Sequence, residues 1–282
     1  VVSPGVPDSA LPLIWAKELN TPLISEIELG WMLCPAPIIA VTGSAGKTTV
    51  TTLIARVLEA SGKKVFACGN IGRPFCSEVE KIKSDDFVSL EVSSFQLEKI
   101  RGFKPKVAVI LNLNRNHLDR HKDMQEYLDA KKRIFMNQGK DDFLVLNAQD
   151  EVLCALAPEA ASQVRFFSAH ADCNPNQCAV MEVGAILGIP AQVCHKVFSE
   201  FKGLEHRLEF VAQVKGVRFI NDSKATLAES TTWAIRTIDS PIILIAGGRH
   251  KGVEYRGILE AARQKVKKVV LIGEAKEKIR EA

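Results

Sequence analysis

Short, β-branched apolar runs alternate along the chain with stretches whose apolar residues recur every three or four positions. The runs at 38–42, 64–68, 87–92, 107–111, 143–146 and 164–167 predict strands. Between them the spacing predicts helices over 48–60, 94–100, 125–136 and 151–156, then two more over 177–187 and 191–201. Strands alternating with helices predict a parallel sheet covered on both faces. An unbroken apolar run such as Val107-Ala108-Val109-Ile110-Leu111 suits a central strand of that sheet. The pattern changes near Glu205, where we place a domain boundary. Runs at 208–214 and 217–221 flank Lys215-Gly216, a hairpin signal. A second α/β unit follows: helix 227–238, strand 242–246, helix 255–266, strand 268–272 and the start of another helix.

A length of 282 residues leaves room for about two domains. Net charge is +4, from 37 basic and 33 acidic residues in small scattered groups with no basic stripe, so nucleic acid is not an expected partner. Seven cysteines, odd in number and without a Cys-x-x-Cys pair, signal neither a disulfide framework nor a zinc site. They suit a reducing cytoplasm. No apolar run approaches the roughly 18 residues of a membrane span, and no signal peptide is visible. The sequence begins Val1-Val2-Ser3-Pro4, which reads as a strand already ending, and so as an excerpt of a longer protein.

Candidate chemistry gathers where predicted strands end. Thr42-Gly43-Ser44-Ala45-Gly46-Lys47-Thr48-Thr49 lies between a strand and a helix. Glycines let a phosphate approach the backbone, a helix start offers N–H groups, and lysine adds a point charge. A hydroxyl after the lysine can ligate Mg²⁺. A standard P-loop would have glycine where Val41 stands, so the loop is a shortened variant. Glu91 ends the next strand, where a carboxylate can hold nucleotide-bound Mg²⁺; the plainer reading makes it a strand-end charge and Ser93 a helix cap. A third strand ends in Asn112-Leu113-Asn114-Arg115-Asn116-His117. Lys131-Lys132-Arg133, on a helix, reads from composition as one solvated face. Asn221-Asp222-Ser223-Lys224-Ala225-Thr226 joins a strand to a helix, and Gly247-Gly248-Arg249-His250-Lys251-Gly252 is a second basic, glycine-rich turn.

Taken in order, these passages resemble the Mur ligase family, which includes the folylpolyglutamate synthases. Glu91-Val92-Ser93-Ser94-Phe95-Gln96-Leu97-Glu98 and Asn221-Asp222-Ser223-Lys224-Ala225-Thr226 are similar to the members that add D-glutamate. The resemblance implies an α/β protein: a central parallel-sheet P-loop-type ATPase domain at 28–205, then a Rossmann-like α/β domain at 206–282, here incomplete. Residues 1–27 would be the remnant of a UDP-binding domain. It implies a cytoplasmic, monomeric enzyme that joins D-glutamate to UDP-N-acetylmuramoyl-L-alanine with ATP. Gly43, Ser44, Gly46, Lys47, Thr48 and Thr49 would hold ATP, with Asn70, Asn176, Arg207 and Asp222. Thr48, Glu91, His117 and a carbamylated Lys131 would hold two Mg²⁺ ions, and Lys131, His117 and Lys47 would be catalytic. Ser93, Ser94, Lys224, Thr226 and Lys251 would face the substrates. The chain departs from the family at Ala45, usually asparagine, and near 172–174, where the family has a longer segment. Two other readings stay open: a folate-type relative, and a P-loop module that binds nucleotide without forming a bond.

Overall fold

The computed structural model describes residues 1–7, 9–114, 121–225, 228–249 and 255–281, apart from the side chains of 228, 229 and 256. These residues fall into two compact units: 1–114 with 123–201, and 121–122 with the residues from Lys202 onward. No helix among them is long and apolar enough to cross a membrane.

The first unit opens with helices α1 (Leu11–Glu18) and α2 (Glu26–Leu33). It continues β1 (Ile38–Thr42), α3 (Lys47–Ala60), β2 (Val65–Gly69), α4 (Phe75–Glu78), β3 (Phe87–Glu91), α5 (Ser94–Leu97) and β4 (Val107–Ile110). Then come α6 (Met124–Lys132), β5 (Phe143–Asn147), α7 (Glu151–Cys154), β6 (Gln163–Phe167), α8 (Pro175–Ile186) and α9 (Ala191–Glu200). The six strands form one sheet in the order β2-β3-β1-β4-β5-β6, parallel at every pairing.

Period-two alternation sends side chains to two cores. Ile38, Ala40, Leu90 and Ala108 face one that also holds Phe75, Leu97, Phe103 and Phe135. Ile39, Val41, Val107 and Val109 face the other, built with Val50, Ile54 and Val57 of α3 and Val180 and Val183 of α8. Burial on both faces is why these strands read as continuous apolar runs.

Side-chain caps start several helices, because the first amides of a helix have no partner within it. Ser25 accepts from Glu28 at α2, Asp123 from Glu126 at α6, and Asn174 forms a reciprocal box with Gln177 at α8. Glu28 itself is buried. Its carboxylate accepts the backbone N–H groups of Arg101 (3.0 Å), Gly102 (2.7 Å) and Phe103 (2.9 Å), tying α2 to the loop after α5. Val2 bridges in parallel to Ser25, a single rung where the sequence suggests the end of a strand.

In the second unit β7 (Glu209–Val214) and β8 (Val217–Asn221) pair antiparallel. Lys215 and Gly216 take φ of 49° and 81°, the left-handed pair a two-residue hairpin needs. After α10 (Ala228–Thr237), strands β9 (Ile242–Gly247) and β10 (Val266–Ile272) pair in parallel across α11 (Arg256–Lys265), a βαβ unit followed by α12 (Lys276–Glu281). Its small core joins Ile235, Ala261 and Ala262 to Ile242, Leu244 and Ile258.

Candidate active site

Three strands of the first sheet deliver their carboxyl ends side by side. Val41 of β1 sits beside Glu91 of β3, and Thr42 beside Ile110 of β4. The chain runs from β1 out to β2, back to β3 and then across to β4, so β1 lies at the point where strand order reverses. Open α/β sheets bind ligands at that edge.

The loop leaving β1 is held tightly. Val41 is fully buried in the strand, and the turn that a standard P-loop would begin there starts two residues later at Gly43 (φ 154°). A Cβ on Gly43 would lie 3.0 Å from the Leu111 Cβ. Asn112, just past β4, accepts from the Ala45 N–H (2.9 Å) and donates to the Ala45 carbonyl (3.2 Å), while its own carbonyl accepts from Ser44 N–H (3.1 Å). The Ser44 hydroxyl lies 3.2 Å from the Tyr127 hydroxyl and donates to the Asn114 carbonyl. Ser44 thus ties the loop to Asn112 and Asn114 past β4 and to Tyr127 of α6. Gly46 is the N-cap of α3 with φ 81° and no side chain to cap the helix, so the first turn, with Lys47, Thr48 and Thr49, offers amides of the kind that bind phosphate. Asn176, on the first turn of α8, closes over Gly46; a Cβ there would meet its Oδ1 at 2.5 Å.

Two lysines converge on one carbonyl. Lys47 Nζ donates to Gly43 O at 2.9 Å and to Ser44 O at 3.3 Å. Lys131 Nζ donates to Gly43 O at 3.0 Å and sits over the Tyr127 ring, 4.4 Å from its centroid. Lys131 is 1% exposed, so the solvated-face reading fails for it. Burial, and then the charge of Lys47, hold its pKa well below the usual lysine value. Its sequence neighbours Lys132 and Arg133 are not the cations that depress it. They are engaged elsewhere: Lys132 pairs with Glu159 and Asp129, and Arg133 donates to the carbonyls of Leu97 and Ile100.

Glu91 is 2% exposed. Its Oε1 accepts from Asn70 Nδ2 at 2.7 Å, and its Oε2 has no hydrogen-bond partner among the described residues. A buried carboxylate oxygen without a donor is costly unless something cationic meets it, so the residues present fit a divalent ion here. Ser93 is the cap of α5, in a reciprocal box with Gln96, as the plainer reading has it; Ser94 is buried beside it. In the second unit Asp222 Oδ1 accepts the Leu208 N–H at 3.1 Å. Burial raises its carboxyl pKa against the lowering effects of that amide and of Arg207. Arg207 Nε is buried without a hydrogen-bond partner among the described residues, which suits an anion, and Lys224 is exposed. His117, Thr226 and Lys251 lie outside the described residues.

Sequence reasoning assigns no role to Asn112, Asn114 or Tyr127, which build the loop. A signal exists for Tyr127: it stands four residues before Lys131, on the same helical face.

The Mur ligase middle domain family matches residues 41–186, and the Mur ligase glutamate ligase domain family matches 206–282. The UDP-N-acetylmuramoylalanine–D-glutamate ligase of Thermoanaerobacter sp. (strain X514) is 39% identical over 316 aligned positions, covering all of this chain and 70% of that protein. The protein of the same name from Clostridioides difficile (strain 630) is 37% identical over 97% of the chain and 68% of its own length. Among solved structures, UDP-N-acetylmuramate-alanine ligase MurC from Thermotoga maritima superposes with a TM-score of 0.70 at 19% identity, over 99% of this chain and 72% of that one. MurF ligase from Thermotoga maritima in complex with ADP gives 0.68 at 17%, over 90% and 74%. Those two carry the fold, and the closer relatives narrow it further: the chain belongs to the Mur ligase family, in the group of UDP-N-acetylmuramoylalanine–D-glutamate ligases.

Proposed function

We propose that the chain is an ATP-dependent amide ligase of peptidoglycan synthesis that adds D-glutamate to UDP-N-acetylmuramoyl-L-alanine. The γ-phosphoryl group of ATP passes to the alanine carboxylate, giving an acyl phosphate and ADP. The D-glutamate amine attacks the acyl carbon and phosphate leaves. Such chemistry needs positioning and cations against accumulating charge more than covalent help from the protein. The observation that carries the reading is Lys47 beside the deeply buried Lys131, both on the Gly43 carbonyl at the start of α3.

On this reading residues 28–205 bind ATP and 206–282 bind glutamate, in a cytoplasmic monomer. Gly43, Ser44, Gly46, Lys47, Thr48 and Thr49 cradle the phosphates. Asn70 steadies Glu91 near the γ-phosphate, Asn176 holds the adenine side, and Arg207 and Asp222 serve ribose and phosphate. Ser93 and Ser94 serve the uridine substrate; Lys224, Thr226 and Lys251 serve glutamate. Thr48, Glu91, His117 and a carbamylated Lys131 would hold two Mg²⁺ ions, which supply positive charge to the phosphates when bound. Burial favours the neutral Lys131 amine, and a neutral amine can add to CO₂, forming a carbamate and releasing a proton.

The test is phosphate release from ATP with each acceptor withheld in turn. We expect release that needs both UDP-N-acetylmuramoyl-L-alanine and D-glutamate, and Lys47→Ala should abolish Mg²⁺-nucleotide binding by calorimetry. Turnover supported instead by a folate acceptor, or undiminished nucleotide affinity in Lys47→Ala, would refute the reading.

A further inference from the structure

Beside Asn176, which closes over Gly46, the turn between β6 and α8 carries a group of side chains that the ligase chemistry does not use. The β6 strand ends at Phe167, and the chain makes a tight turn in which His170 and Cys173 exchange backbone hydrogen bonds of 3.1 and 3.0 Å. Asn174 then caps α8, whose first turn brings Cys178 back toward the turn, its Sγ donating to the Cys173 carbonyl at 3.2 Å. One ligand atom each from His170, Cys173 and Cys178 lies within 4.8 Å of the other two. Both cysteines are buried and the histidine is exposed, so the cluster has one open side. Among the described residues it is the one group of three or more His, Cys, Asp or Glu side chains gathered closely enough to hold an ion.

We propose that His170, Cys173 and Cys178 form a site for a borderline-soft divalent metal ion of the Zn²⁺ class, with the fourth position open to water. Two thiolates and an imidazole are a donor set that selects Zn²⁺ and its neighbours over Mg²⁺ or Ca²⁺. Tetrahedral Zn–S and Zn–N bonds of about 2.3 and 2.0 Å put these ligand atoms roughly 3.5–3.8 Å apart, so the side chains close in by at most about an ångström. Burial pushes the Cys173 thiol up to about 12, with Cys178 adding to it, so the thiol is no free nucleophile. A bound dication supplies the charge that displaces the protons. The spacing His-x₂-Cys-x₄-Cys matches none of the regular zinc patterns; the tight turn and the capped helix start bring the three together. A metal here would pin the end of β6 to the start of α8.

Co²⁺ added to the full chain tests this, because a thiolate-to-cobalt charge-transfer band in the near ultraviolet reports sulfur ligation and cannot come from an oxygen-lined Mg²⁺ site. We expect that band with stoichiometric Co²⁺, its loss on adding Zn²⁺, and affinity reduced by at least the 10–100-fold typical of a disturbed metal site in Cys178→Ser. His170→Ala changes an exposed residue and should weaken binding similarly while leaving the far-ultraviolet dichroism of the fold intact, which covers the case that Cys178→Ser does not fold. No charge-transfer band in the reduced wild-type protein, or an equal band and affinity in His170→Ala, would overturn the proposal.

Discussion

At the scale of single residues, Lys131 shows how position overrides composition. In sequence it is one of three adjacent basic residues; in the fold Lys132 and Arg133 find partners outside the site and Lys131 is enclosed. A lysine whose folded pKa lies below its unfolded value of 10.5 weakens folding wherever the unfolded chain holds the proton and the folded one does not. In that window the unfolded state binds one proton more, so stability rises with pH, by at most about 1.4 kcal/mol per pH unit, and levels off above the unfolded pKa. Guanidinium unfolding of the wild type in CO₂-free buffer should therefore show stability gained as pH rises toward 10.5 that Lys131→Met lacks. Equal slopes in the two proteins would mean that the folded lysine keeps its proton. The loop motif, Glu91 and Lys131 were all visible in the sequence by residue type. What they touch was not, because Asn112 and Tyr127 reach the loop, and Asn70 reaches Glu91, from other strands and helices, over separations that no local pattern records.

At the scale of elements, the strands of the first sheet were legible because burial on both faces leaves an uninterrupted apolar signature. The helix α2 was not, since Glu28 falls in the middle of its buried face and breaks the stripe. That carboxylate is also why α5 stops at Leu97 where the spacing suggested residue 100: the backbone amides of Arg101, Gly102 and Phe103 turn toward Glu28 instead of continuing the helix. Glu28→Gln puts an amide donor where N–H groups already point. It should cost roughly 1.5–3 kcal/mol of stability, one charge-assisted bond at about 1.5 if the amide replaces Oε1 and two if it replaces Oε2, read as a lower denaturation midpoint, with exposed Glu18→Gln near zero. The start of α3 is a second place where an element depends on one residue. Gly46→Ala puts a side chain into the left-handed region at about 1–2 kcal/mol, and its Cβ collides with Asn176. We expect lower stability and weaker nucleotide binding, with partial recovery in Gly46→Ala/Asn176→Ala, where the collision is relieved and the backbone strain stays. Full recovery would assign the whole effect to the collision; none would assign it to φ.

At the scale of the whole molecule, the proposed function draws on residues of both units. The phosphate loop, Lys131 and the unpartnered carboxylate oxygen of Glu91 all belong to the first unit, whereas the match to the glutamate ligase domain begins at residue 206. An acyl phosphate hydrolyses if water reaches it before the amine does, so an enzyme of this kind gains from binding the amino acid on a separate part of the chain from the nucleotide. Lys224 is the exposed cation of the passage similar to the D-glutamate-adding enzymes, with its backbone fixed by an N–H bond to the His206 carbonyl at 3.1 Å. A carboxylate of glutamate is a fitting partner for it; the alternative is a surface ion pair worth about 0–1 kcal/mol and no role in catalysis. Lys224→Ala should raise KM for D-glutamate at least tenfold while the ATP dissociation constant, measured by calorimetry, stays within a factor of two. A parallel loss of both would mean that the second unit takes part in nucleotide binding as much as in glutamate capture. An unchanged KM would leave Lys224 a surface charge and move the search for the glutamate contact to another residue of that unit.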